Sequence, residues 1–409
     1  MRSNLIAGLD IGSTKTCVVI GEFMDDFRRP ELKVLGVGQA PTAGMRKDMV
    51  TNLEEATGSI RRATQEAELM SGANIDRVYV GISGEHIHAQ RSVGVVAVAA
   101  EEIVGGDVDR VHEVARAVAL PPDRQMLHAI PQDYVVDHQG GIKDPIGMIG
   151  TRLETDLYLV TGCNSSVENV GRAVEKAGYR VQDMILEPLA SARAVLTEDE
   201  KELGVAMVEL GGATTGLSVF YEGKIRHLAV LPFGSCTITS DLIRGLSVPF
   251  AEAKRIKELH GVACARMVDP YETIEIPGLA PGQKRTVARQ YLAQMIEERC
   301  EEMFGQIYQR LTELHHGMTL GAGIVLTGGG ATLPGLVELA QSCFSAPVRV
   351  GVPWEGLSGL SDAVARPRFA TAAGLALHGA DHFLETGEGA STVASGVVTK
   401  VGAWLKEFF

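Results

Sequence analysis

The chain has 409 residues, 45% of them apolar, and a formal net charge of -13. That length supports about two or three domains with a sizeable core. The acidic balance excludes broad nucleic-acid binding, which needs a basic face against the phosphates. Six cysteines (Cys17, Cys163, Cys236, Cys264, Cys300, Cys343) lie far apart without a C-x-x-C pair, the pattern of free thiols in a reducing compartment.

The chain opens on MRSNLIAGLDIGSTKT, which runs into a glycine motif with no visible secretory leader. LIAGL and CVVIGEF are β-rich and DIGSTK between them is a turn, so the first element is strand, turn, strand. A helix is predicted over about Leu53 to Ser71, and RVYVGIS is a further strand. From about Gly84 the texture changes. Short strands such as SVGVVAVA, a helix near Asp107–Ala119 and the segment HAIPQDYVVDHQGGIKDPIGMIG suggest an insertion of about 80 residues. DLYLVTG resumes the buried-strand pattern and SVENVGRAVEKAGY is a helix.

The second half repeats the first. GVAMVELGGATTGLSVFYEGKI is again strand, glycine turn, strand, and Glu209 stands where Asp10 stands in the first half. Helices are predicted at Ala251–Leu259 and Arg289–Leu314. GAGIVLTGGGATLPGLVELAQ is a strand, a glycine turn and a helix. Glu385 to Gly396 is a small polar linker, followed by a short helical candidate. No apolar run approaches the roughly 18 residues of a membrane-crossing helix, so any membrane contact is expected to be peripheral.

Three turns carry the chemistry: Asp10–Lys15, Glu209–Thr215 and Thr327–Ala331. Glycine lets backbone N–H groups approach phosphate oxygens because no Cβ intervenes. Ser13 and Thr14 add hydroxyl donors, Lys15 adds a charge, and Asp10 suits a magnesium ion held through its water. Any one turn alone is equally an ordinary hairpin; two strand–turn–strand units and a later triple glycine before a helix are more specific. His86 with His88, and His378 with His382, make incomplete metal sites and are assigned structural roles. Asp133, Asp137 and Asp144 fit loops better than acid–base chemistry.

The order of the turns resembles the actin, hexokinase and chaperone-ATPase superfamily. IPQDYVVDHQGGIKDPIGMIGTRLE and LEPLASARAVLTEDEKELG resemble the FtsA family of bacterial cell-division actin homologues, from about Leu5 to Leu384. The resemblance implies an α/β, actin-like (ribonuclease H-like) duplicated ATPase fold, with an inserted α+β subdomain 1C and a C-terminal amphipathic helix. Its divisions would be 1–83 plus 163–203 plus 361–384 (subdomain 1A), 84–162 (1C), 204–240 plus 318–360 (2A) and 241–317 (2B). The linker would be 385–396 and the membrane-targeting helix 397–409.

It also implies an ATP and Mg site. Asp10, Gly12, Ser13, Thr14 and Lys15 would form the first phosphate loop. Glu209, Gly211, Gly212, Ala213 and Thr214 would form the second, and Gly328, Gly329 and Gly330 the adenosine loop. Lys257 matches a family Glu-x-x-Lys helix, but Lys254 stands where its glutamate is expected, and Glu252 lies on another helix face. Glu209 replaces the usual aspartate, Ala213 a glycine, and Gly216 a second aspartate. Glu209 is at most a weak catalytic candidate, so the expectation is ATP binding with very slow hydrolysis.

In the tail, Val397, Val398, Val401, Trp404, Leu405, Phe408 and Phe409 share one helical face, with Lys400 and Lys406 able to flank it. Trp and Phe suit the headgroup boundary of a membrane; docking on a protein surface is the other reading. Lys284, Arg285, Arg289 and Arg299 form a basic group that would, by the resemblance, receive the acidic C-terminal peptide of FtsZ. The implied partners are that peptide, further copies of the chain in a filament, inner-membrane lipids and later divisome membrane proteins. The implied location is the cytoplasmic face of the membrane at the septum. A pilus-platform adaptor of the PilM type and a small-metabolite kinase on the same fold are the competing readings.

Overall fold

The computed structural model of the chain describes residues 4–24, 31–278, 283–313 and 319–386. Strand Leu5–Ile11 is buried from Ile6 onward, which is why it reads as a continuous apolar run rather than an alternation. It pairs antiparallel with Lys15–Met24, which pairs antiparallel with Glu31–Pro41. On its other side it runs parallel to Arg77–Ile82, and that strand runs parallel to Arg180–Leu186.

The second sheet repeats this order. Val205–Leu210 lies antiparallel to Thr215–Tyr221, and that strand antiparallel to Lys224–Leu231. Gly323–Thr327 and Val348–Val350 follow in parallel. The duplication visible in sequence is therefore a duplication of topology. One strand departs from expectation: Leu357–Gly359, placed by sequence in the second half, is an edge strand of the first sheet, hydrogen-bonded parallel to Glu31–Pro41.

Helix Leu53–Ser71 has the predicted limits because both ends are chemically marked. The side chain of Asn52 accepts from the N–H groups of Glu54 and Glu55, and Gly72 closes the helix at φ 68°. Two other helices, Glu187–Val195 and Ala370–Thr386, join the halves. A single apolar core takes residues from both sheets and from both helices. The helices cross so closely that a Cβ on Gly374 would lie 1.8 Å from the carbonyl oxygen of Ala190.

The insertion forms its own sheet, ordered His88–Ala97, Arg152–Cys163, Arg124–Val136, Gln139–Ile142. Its helix runs Gly105–Arg116 rather than to Ala119: the backbone leaves the helical region at Ala117, with ψ 53°. The insertion is tied to the second sheet. The Lys224 ammonium, 2% exposed, donates to Asp133 Oδ1 (2.5 Å) and to the Gln132 carbonyl (2.8 Å). Arg226 reaches Asp133 Oδ2 at 3.1 Å, and the N–H of Leu228 donates to the Tyr158 hydroxyl at 3.0 Å. Asp137 instead holds the turn at Thr151, as a loop aspartate should. In the second half, helices Ser235–Leu246, Phe250–His260 and Arg289–Glu313 and the hairpin Thr273–Pro277/Lys284–Ala288 build a helical lobe.

Candidate functional site

The two glycine turns are built alike. Gly12 N–H donates to the Lys15 carbonyl at 3.1 Å, and Gly211 N–H donates to the Thr214 carbonyl at 3.0 Å. Each turn leaves the end of a buried central strand, so each is fixed by its sheet where it lines the cleft. The turns belong to different halves and nearly touch: a Cβ on Gly212 would lie 2.7 Å from Cγ2 of Thr14. The third turn starts at Gly328, with φ 81°, and continues as a short 3-10 helix, Gly329–Thr332.

These turns line one cleft of about 1080 Å³ between the halves. Asp10, Gly12, Ser13, Thr14 and Lys15 lie on one wall, and Glu209, Gly211, Gly212, Ala213 and Thr214 on the other. Lys257, Gly328, Gly329 and Gly330 complete the lining, so every residue expected at this site reaches the same space. Lys254 lines it too, whereas Glu252 is turned to Arg255 in an exposed pair.

Electrostatics in the cleft are unbalanced. Burial pushes the Asp10 carboxyl up from its ordinary range, against the pull of Lys15, whose ammonium stands 3.5 Å away. That ammonium also donates to the Arg368 carbonyl and lies 5.3 Å from the centre of the Phe369 ring. Glu209 is pushed up to about 7, chiefly by burial, although two hydroxyls favour its charged form. They are Ser191 Oγ at 2.7 Å and Thr371 Oγ1 at 2.5 Å, one from each joining helix. Glu187, at the start of one of those helices, is raised well above its ordinary value by burial and by its acidic neighbours. Burial lowers Lys257, which donates to the Ser235 carbonyl at 2.8 Å.

Gly216 has a steric reason. A Cβ there would meet Cγ of Pro188 at 2.6 Å, so an aspartate could not enter without moving the joining helix.

Sequence reasoning missed two acids. Asp48 lines the cleft and its carboxylate accepts from Ser13 Oγ (2.6 Å) and Thr214 Oγ1. No glycine pattern surrounds it, so nothing local marks it. Glu187 did carry a signal: an acid before Pro188 where a strand turns into a helix.

The four basic residues of the helical lobe are already engaged. Lys284 pairs with Glu275 at 2.8 Å, Arg289 with Glu272 at 2.8 Å, and Arg299 with Asp241 and Glu302, each at 2.5 Å. Arg285 donates to the Leu246 carbonyl. His378 lies 3.4 Å from Asp183 and His382 is 3.2 Å from the Tyr79 hydroxyl. Among the described residues no group of three or more metal-ligating side chains forms, and no helix is long and apolar enough to cross a membrane. Of the linker expected at 385–396, Glu385 and Thr386 instead end helix Ala370–Thr386; its remainder and the apolar tail face at 397–409 lie outside the described residues.

Comparison with known proteins agrees with this geometry. Residues 206–374 match the family model for cell division protein FtsA, and residues 84–161 match the SHS2 domain inserted in FtsA. Cell division protein FtsA of Neisseria meningitidis serogroup B is 43% identical, covering 93% of this chain and 91% of its own length. That of Escherichia coli K12 is 37% identical over 98% of this chain and 96% of its own.

Among solved structures, a PilM–PilN type IV pilus biogenesis complex superposes with a TM-score of 0.65 at 17% identity, covering 93% of this chain and 99% of that one. MreB5 of Spiroplasma citri bound to ADP gives 0.51 at 11% identity, covering 94% of this chain and 98% of that one. At those identities the likeness is one of fold, and it is the actin-like fold. Sequence likeness over nearly the whole length, the inserted domain and the duplicated sheets together place this chain in the FtsA family of cell division proteins.

Proposed function

We propose that this protein is an ATP-binding, actin-like division protein that polymerises on the cytoplasmic face of the cell membrane at the septum. There it tethers FtsZ filaments through their C-terminal peptide and helps recruit later divisome membrane proteins. The observation that carries the nucleotide part is the convergence of three glycine turns, from both halves of a duplicated fold, on one cleft.

The residues fit an adenine nucleotide with magnesium. The cleft, about 1080 Å³, matches the upper end of the roughly 300–1,000 Å³ usual for ligand pockets. Backbone N–H groups of two turns, the hydroxyls of Ser13, Thr14 and Thr214, and the ammonium groups of Lys15 and Lys257 supply donors for a chain of phosphates. Asp10 would hold magnesium through the ion's own water, since magnesium dehydrates reluctantly. When bound, the nucleotide supplies a multiply charged bridge between the halves and so favours the closed conformer by differential affinity.

Hydrolysis is the weaker side of the design. Glu209 is committed to Ser191 and Thr371, and no carboxylate fits at position 216. The site grips better than it cuts. Titrating the full-length protein with ATP at millimolar magnesium should show saturable binding at one site, and no binding would overturn the reading. A turnover in the range of about 1–100 s⁻¹ found for kinases would overturn slow hydrolysis.

The basic group of the helical lobe remains a candidate for the acidic FtsZ peptide. The Lys284–Glu275 pair is an exposed one, worth about 0–1 kcal/mol, so a peptide carrying several acids competes with it first. The tail supplies the membrane contact.

A further inference from the structure

Asp48 lies at the tip of the small hairpin that pairs Met45–Arg46 with Met49–Val50. Lys47 and Asp48 occupy its turn with φ of 50° and 58°. Both are left-handed conformations of the kind that two-residue hairpin turns demand and that favour glycine or asparagine. An aspartate held there, 7% exposed, is fixed by its surroundings. Its carboxylate accepts from the hydroxyl of Ser13 at 2.6 Å and from that of Thr214, and its own N–H donates to Ser13 Oγ at 2.9 Å. Ser13 belongs to the turn of one half and Thr214 to the turn of the other, so one side chain fastens both turns across the cleft. An uncharged asparagine would accept from one hydroxyl and donate its N–H to the other, which can accept. A carboxylate placed beside Asp10, Glu187 and Glu209 instead adds like-charge repulsion, so its charge needs a reason other than stability.

We propose that Asp48 is an internal competitor for phosphate: its carboxylate fills the hydroxyl cradle of Ser13 and Thr214, and a nucleotide gains those donors only by displacing it. This rests on the reading of the cleft as a nucleotide site. The consequence is selectivity by charge. A triphosphate brings one more negative group against the same carboxylate than a diphosphate does, so Asp48 opposes ATP more than ADP. The charge of Asp48 thereby narrows the gap in affinity between the two.

The test uses full-length protein, with Asp48→Asn, which removes the charge and keeps an acceptor oxygen, and Asp48→Gly, which suits the left-handed backbone. Affinities for ATP and ADP are measured by calorimetric titration at one fixed magnesium concentration. Both variants should bind ATP about tenfold more tightly, and ADP no more than about threefold, because a unit charge a few ångströms away dominates at this range. In nucleotide-free protein, Asp48→Gly should also speed amide exchange in the turns at Gly12 and Gly211, since the tie between them is gone. An unchanged ATP-to-ADP ratio in both variants, weakened ATP binding, or unchanged exchange would overturn the competitor while leaving the nucleotide reading in place. If wild type and variants bind neither nucleotide, the nucleotide reading falls and the competitor falls with it.

Discussion

Glu209 shows how one methylene changes what a position can do. In sequence it is the mate of Asp10, at the end of the matching strand. In the fold its extra length carries one carboxylate oxygen to Ser191 and Thr371, and burial lifts it to about 7. An acid whose pKa rises on folding stabilises the protein only while protonated. That contribution is complete below the ordinary glutamate value of 4.5 and is lost as pH rises through about 7. Asp10 and Glu187 are shifted in the same direction. These acids therefore contribute a fall in the melting temperature of nucleotide-free protein between about pH 5 and about pH 7.5, opposed below the ordinary histidine value of 6.5 by His128 and His227, which burial lowers to about 4. Glu209→Gln, which cannot ionise but still accepts from both hydroxyls, should flatten part of that fall. Differential scanning calorimetry across this range checks it; an equally steep fall in the variant would reject the assignment. Asp48 was illegible for a related reason: its partners lie 35 and 166 positions away in the chain, and nothing in its own neighbourhood announces them.

At the scale of elements, local marks were readable and long-range pairings were not. Helix Leu53–Ser71 is bounded by Asn52 and Gly72, whose capping roles depend on residues a few positions away. Strand Leu357–Gly359 has no such marks, and its place in the first sheet is decided by hydrogen bonds to Glu31–Pro41. The basic group met the same limit. Arg299 looks free in sequence, yet Asp241, 58 positions earlier, holds it in a two-point pair.

The docking of the insertion is likewise a long-range product, carried by Asp133 with Lys224 and Arg226. Burial works to raise the Asp133 carboxyl, but the two cations hold it below its ordinary value. Removing the carboxylate takes the Asp133 pair from the buried Lys224 ammonium and from Arg226. Asp133→Ala should cost about 3 kcal/mol, the lower end for breaking a buried pair, read as a lower urea midpoint. A midpoint unchanged from wild type would show that the joint does not depend on this charge.

On the proposed function, the molecule as a whole would couple a nucleotide cleft, a partner surface and an apolar tail. Each large apolar side chain of the tail is worth roughly 1.5–3 kcal/mol if fully buried, an upper figure at headgroup depth. Ordering the proposed helix would offset part of that, so a single tail would bind reversibly. A filament presenting many tails would gain avidity through effective concentration. One co-sedimentation experiment separates the two surfaces. Full-length protein should carry FtsZ down with anionic vesicles. Trp404→Glu should leave both proteins in solution, and Arg299→Glu should leave only FtsZ behind. Either variant behaving as wild type would remove the corresponding surface from the proposal.

The amino-acid sequence alone determined the duplicated strand–turn–strand plan, the inserted segment and the three glycine turns; the helical face expected at 397–409 lies outside the described residues. Each of these is written in neighbouring residues, through apolar runs, turn glycines and helical spacing. Only the tertiary structure decided which groups oppose one another across the cleft. It set Asp48 between Ser13 and Thr214, turned Glu209 toward the joining helices, and filled the space beside Gly216 with Pro188. The physical reason is that charge and hydrogen bonding act over a few ångströms, and residues far apart in the chain come that close only when the two halves have packed together.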